Sequence, residues 1–273
     1  MFGDRQVRST AKLFAYAALL LCSAASWAAA GNKKNAKTEA PQLPPRLAFD
    51  IRNIVWPNPP AIARIRFQDM LTGEKIDWTA IDAQAKTKPK KSWMDRLAGT
   101  DAASSGPKIK IPYQLVRPYG IAVDAKGNIY TADEGVDAIF IFNAETKAVE
   151  FIRNDIEAHF GLINGLAIDD DDRLFVSDGR LHKILVFDPQ HQLKGSFGAE
   201  TLNLPGGIAL DRENRLLYVV DTGNDQVVAF DADKFTVVRK IGVAGKKHTL
   251  TEPGTFSLPS QVAVDKDGDL YIT

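Results

Sequence analysis

Aspartate is the side chain best able to do chemistry in this sequence, and it recurs at fixed places. One series is Asp124, Asp169, Asp211 and Asp265; a second is Asp133, Asp178 and Asp221. A carboxylate that returns in every copy of a pattern has a repeated job. Accepting backbone N–H groups at the ends of strands is such a job, so both series read as turn-fixing residues. The run 169–172 is four consecutive aspartates and is rich enough in oxygen to suggest a calcium loop. It replaces an ordinary turn, however, and lacks the alternating ligand spacing of a helix–loop–helix calcium site, so it reads as a surface turn. Asn164, Gly165 and Leu166 offer one amide oxygen where a hard cation needs several donors. His159, His182, His191 and His248 show no two-ligand spacing, and no serine or cysteine nucleophile motif accompanies them. The single cysteine, Cys22, lies in the N-terminal apolar run.

The elements that must position these residues repeat as well. Residues 118–133 form a short apolar run ending in Asp124, a turn containing Gly127, and a second run ending in Asp133. A third run follows at 139–142. The pattern returns at 163–188, 205–231 and 259–273, and the first aspartates are spaced by 45, 42 and 54 residues. A period in the forties built from short strands marks propeller blades, none of which can bury both faces alone. Outer strands are expected at 149–152 and 237–241. The fold class is therefore all-β, a β-propeller of four-stranded blades, with about three and a half blades over 116–273.

These residues resemble the NHL-repeat family, whose blades run Pro-x-Gly-Ile-Ala-Val-Asp, then Gly-Asn-Ile-Tyr-Val-Ala-Asp, then an Ile/Val-Phe pair. The resemblance implies a propeller that is six-bladed when whole. In propellers, function gathers where the first strands begin, because the loops between blades converge there. The positions at that mouth are Tyr119, Asn164, Gly206 and Ser260, which differ between copies, with Arg117 just outside them. Arg117, Tyr119, Asn164 and Ser260 are the candidate ligand-binding residues. The gluconolactonase-type propellers share the blade rhythm and carry an Asn-Gly-Leu motif whose Asn holds a catalytic divalent metal. Asn164 is therefore the metal ligand under an alternative reading, a calcium- or other divalent-metal-dependent lactonase or hydrolase. Gly206 and Tyr119 stand where that family places two acidic ligands. The amidating lyases of the same fold use channel histidines and disulfides, which this pattern does not supply.

The N-terminus carries Arg5, Arg8 and Lys12 before an apolar run at 13–21 and small residues at 26–30, the layout of an export signal. Leu21 precedes Cys22 where a lipoprotein signal needs a small residue, which disfavours a lipid anchor. Cleavage after residue 30 leaves 31 basic against 33 acidic residues and no cysteine. That balance gives no electrostatic case for nucleic acid, although some animal NHL domains bind RNA on a basic face. Residues 31–45 read as a flexible linker and 46–115 as lead-in strands; residues 56–67 resemble the lead-in of exported bacterial NHL propellers, which implies a strand supplied to the last blade. An insertion at 68–107 carries helical turns at 78–85 and 92–97. The basic run Lys86 to Lys91 reads as a solvated loop, with contact to an anionic partner or membrane surface as the sharper alternative. The pattern stops inside a blade at Thr273, and a six-bladed ring needs about two and a half further blades, on the order of 100 residues. The functional expectation is an exported periplasmic or extracellular scaffold that holds a protein, peptide or glycan. It is expected to use no cofactor and no transmembrane span.

Overall fold

The computed structural model describes residues 54–58, 60–62, 64–86, 112–154, 159–245 and 253–273, all within the unit Pro44–Thr273. The export signal, the linker, Cys22, His248, residues 92–97 and all of the basic run beyond Lys86 lie outside the described residues. Two short strands, β1 (Val55–Trp56) and β2 (Ile65–Arg66), pair antiparallel. The helix α1 spans Trp78–Lys86. Asp77 starts it, because the Asp77 carboxylate accepts the Thr79 and Ala80 N–H groups that the first turn leaves unpaired.

Three four-stranded meanders follow. Blade 1 is β3 (Pro118–Val123), β4 (Ile129–Asp133), β5 (Ala138–Phe142) and β6 (Val149–Arg153). Blade 2 is β7 (Ile163–Ile168), β8 (Leu174–Asp178), β9 (Lys183–Phe187) and β10 (Leu193–Phe197). Blade 3 is β11 (Pro205–Asp211), β12 (Leu216–Asp221), β13 (Gln226–Asp231) and β14 (Val237–Ile241). A pair, β15 (Val262–Val264) and β16 (Leu270–Ile272), begins a fourth. Within each four-stranded sheet the spatial order is the chain order and every pairing is antiparallel. The first strands β3, β7, β11 and β15 lie side by side. These are β-propeller blades: each buries its two faces only by stacking on its neighbours.

The core follows from that stacking. In β8, Leu174 and Val176 pack toward blade 1 with Tyr130, Ile139 and Ile141, whereas Phe175 packs toward blade 3 with Leu217, Val219 and Phe230. This is the period-2 alternation of a strand covered on both sides. Tyr218, Val220 and Ala229 repeat the pattern against Val262 of the fourth blade. Leu71 and Leu115 of the lead-in pack on Ala138, Phe140 and Phe142, so the lead-in lies against the other face of blade 1. Gly165 shows how close the first strands approach: a Cβ there would stand 2.8 Å from both the Gly206 carbonyl oxygen and the Ile208 nitrogen.

Candidate site at the mouth of the first strands

The first strand of each complete blade breaks register at the same point. The break falls between Pro118 and Ile121, between Ile163 and Leu166, and between Pro205 and Ile208. Such a bulge kinks the strand and re-aims its side chains. The residues inside the three breaks are Tyr119 and Gly120, Asn164 and Gly165, and Gly206 and Gly207. Tyr119, Asn164 and Gly206 therefore sit in equivalent bulges, and the side-by-side first strands bring them into one row, whereas Ser260 lies just before β15 with no register break recorded. Gly207 N–H donates to the Ser260 carbonyl at 2.9 Å, which ties the row across to the fourth blade.

The side chains in the row differ in availability. Tyr119 is 48% exposed. Arg117 is exposed beside it, with its Nη1 3.7 Å from Glu134 Oε2. Asn164 is buried, and its Nδ2 donates to the Pro205 carbonyl of the next blade at 2.9 Å. Ser260 lies partly buried, with its Oγ 3.4 Å from the Thr273 carbonyl. His182 sits between β8 and β9 in the left-handed region (φ 56°), and its Nδ1 meets the Asn203 carbonyl. Asn164 thus commits its amide nitrogen to a neighbouring backbone carbonyl, whereas Tyr119 and Arg117 are exposed.

The aspartates are engaged with the backbone. Asp133 accepts N–H groups from Val116 and Arg117, just before β3, and from Gly135. Asp178 accepts from Gly161 and Leu162, just before β7, and from Arg180 and Leu181. Asp221 accepts from Asn203 and Leu204, just before β11. All three are fully buried. In the other series Asp124, Asp169, Asp211 and Asp265 accept N–H groups within their own turns.

Sequence reasoning did not find the ionic clamp between blades 2 and 3. Arg173 Nε donates to Asp169 Oδ2 at 2.7 Å and its Nη2 to Asp233 Oδ1 at 2.7 Å. Arg215 Nη2 reaches the same two carboxylates, at 3.1 and 2.7 Å. Hydrogen bonds from Arg215 and then Arg173 hold the Asp233 carboxyl well below the usual range. The signal was present in the turns, where Arg173 and Arg215 replace small or amide residues of the first copy.

Among curated proteins, the chain is similar to NHL repeat-containing protein 2 of Bos taurus, 35% identical over 78 residues that cover 23% of this chain and 11% of that protein. The Gallus gallus protein of the same name is 34% identical over 74 residues, covering 22% of this chain and 10% of that one. The blades are of the NHL-repeat type. This NHL-type chain therefore spans about a tenth of the length of the curated relatives it matches. No protein-family profile matches it. Solved structures similar to it include a Bacteroides thetaiotaomicron protein of unknown function (TM-score 0.49, 18% identity, 59% of this chain and 47% of that one). Virginiamycin B lyase from Staphylococcus aureus is another (TM-score 0.45, 18% identity, 57% and 48%).

Proposed function

We propose that this NHL-type propeller is an exported binding scaffold that holds a protein, peptide or glycan at the mouth of its first strands. The observation that carries the reading is the equivalent bulge in three successive first strands. It sets one variable residue per blade into a common row, while the surrounding carboxylates are engaged by backbone amides. Of that row Tyr119 is the exposed side chain, with Arg117 beside it, and a rigid scaffold that presents such a pair at one end of a row of first strands suits ligand recognition there. Tyr119 supplies a rigid amphipathic anchor and Arg117 a charged one, two residue types that dominate binding hot spots. Export to the periplasm or outside the cell rests on the basic and apolar N-terminal pattern.

The test is binding of the intact protein to arrayed peptides and glycans, without added cofactor, followed by titration of the hits. Tyr119→Ala and Arg117→Ala should each weaken the best hit by about tenfold or more, as loss of a hot-spot residue does. Turnover of lactones or esters by the purified protein with a divalent metal, lost in Asn164→Ala, would replace this reading with a hydrolase.

A further inference from the structure

The junction between blades 1 and 2 is built on the same plan as the clamp between blades 2 and 3, with the charges changed. Asp124 N–H donates to the Asn128 carbonyl as Asp169 N–H does to that of Arg173, so Asn128 stands where Arg173 stands. Asp172 and Arg215 are the left-handed residues (φ 57° and 54°) of the turns entering β8 and β12, so Asp172 stands where Arg215 stands. An amide and a carboxylate thus occupy the places of two guanidinium groups. What remains between the blades is a cavity of about 140 Å³ lined by Asp124, Asn128, Tyr130, Glu150, Asp172 and His191. One water needs roughly 10–15 Å³ of such space, so the room is ample for a small polar group.

The lining is short of positive charge. Lys126, 76% exposed at the rim, comes only to 3.7 Å from Asp172 Oδ2. Asp172 Oδ1 is buried and has no hydrogen-bond partner. An unpaired buried carboxylate oxygen is costly, which makes this the least satisfied polar group of the junction. The Tyr130 hydroxyl lies 3.2 Å from His191 Nε2, with the rings edge to face. Its pKa is pushed up to about 12, first by burial and then by the negative charge of Asp124 and Asp172. Among the described residues no three acidic, His or Cys side chains are grouped closely enough to hold a metal ion. A planar, weakly hydrated organic cation is better matched, because it donates to carboxylates and packs on aromatic faces.

We propose that this cavity binds a guanidinium group from outside the chain, in the place that Arg215 and Arg173 fill at the next junction. The group comes either from a small free molecule or from an arginine side chain of a peptide. The test is calorimetric titration of the full chain at fixed ionic strength with agmatine, with Gly-Arg-Gly, and with the neutral isostere Gly-citrulline-Gly. Agmatine or Gly-Arg-Gly should bind and shift the His191 imidazole resonance, and the citrulline peptide should not. Tighter binding of agmatine marks a free ligand, and tighter binding of the peptide marks a protein side chain. Asp172→Asn should weaken binding at least tenfold. Asp172→Arg copies Arg215 at a backbone angle Arg215 already adopts, so it should abolish binding while raising the melting temperature. The proposal is overturned if neither cation binds, if the citrulline peptide binds equally well, or if calcium chloride binds in their stead. Binding unchanged in a folded Asp172→Asn or Asp172→Arg variant would overturn it too.

Discussion

At the scale of single residues, Asp178 concentrates the most structure in one side chain. It is fully buried and takes four backbone N–H groups from two separate loops. Asp178→Ala leaves those donors without an acceptor, and each unsatisfied buried group costs about 1–3 kcal/mol. A loss of 3 kcal/mol or more in urea unfolding is expected, against under 1 kcal/mol for alanine at exposed Glu200. Asp233 acts through charge, and its sign follows from its depressed folded pKa. Its contribution is present above the unfolded value of about 3.9 and is lost as pH falls below it. The melting temperature of the wild type should exceed that of Asp233→Asn at pH 7, and the gap should narrow progressively as pH falls below about 4. The repeated aspartates were legible in the sequence because the same carboxylate returns in every copy. The partners of Arg173 and Arg215 were not, since sequence does not say which turns of successive blades meet.

At the scale of elements, the first strands are limited by the approach of their backbones. Alanine at Gly165 would place a methyl 2.8 Å from backbone atoms of β11 that cannot rotate away. Gly165→Ala should destabilise by roughly 1–3 kcal/mol, the usual cost of overpacking, with unfolding midpoint as the measure. A fall of less than 0.5 kcal/mol would show that the blades separate more easily than this contact implies. The strands with apolar, β-branched runs were readable, as were the helix at 78–85 and the outer strands at 149–152 and 237–241. The outer strand β10 was expected as the fourth strand of its blade but not placed: Leu193, Lys194, Gly195, Ser196 and Phe197 carry little β-branched or alternating signal. It is held by pairing to β9, a tertiary cause that local composition does not record. The bulges at the mouth were equally invisible, because register is a property of two strands.

At the scale of the whole molecule, consecutive junctions use opposite chemistry on one frame: a guanidinium–carboxylate clamp between blades 2 and 3, and an acidic cavity between blades 1 and 2. None of the described helices is long and apolar enough to cross a membrane. The buried aspartates at the ends of β4, β8 and β12 have a consequence for how such a chain can change. Each of them grips the two residues that precede its own blade's first strand, so a blade sets its register without reference to the connection that delivers it. The connections into blades 2 and 3 can then differ in length, as the spacings of 45 and 42 residues show. Three residues inserted after Gly245, where an added Cβ would meet nothing within 4 Å, should leave the melting temperature nearly unchanged. The same insertion between Leu204 and Pro205 would part the grip of Asp221 from β11 and should lower the melting temperature by many degrees. A protein built this way can acquire new loops one at a time, and selection can test each without reopening the fold.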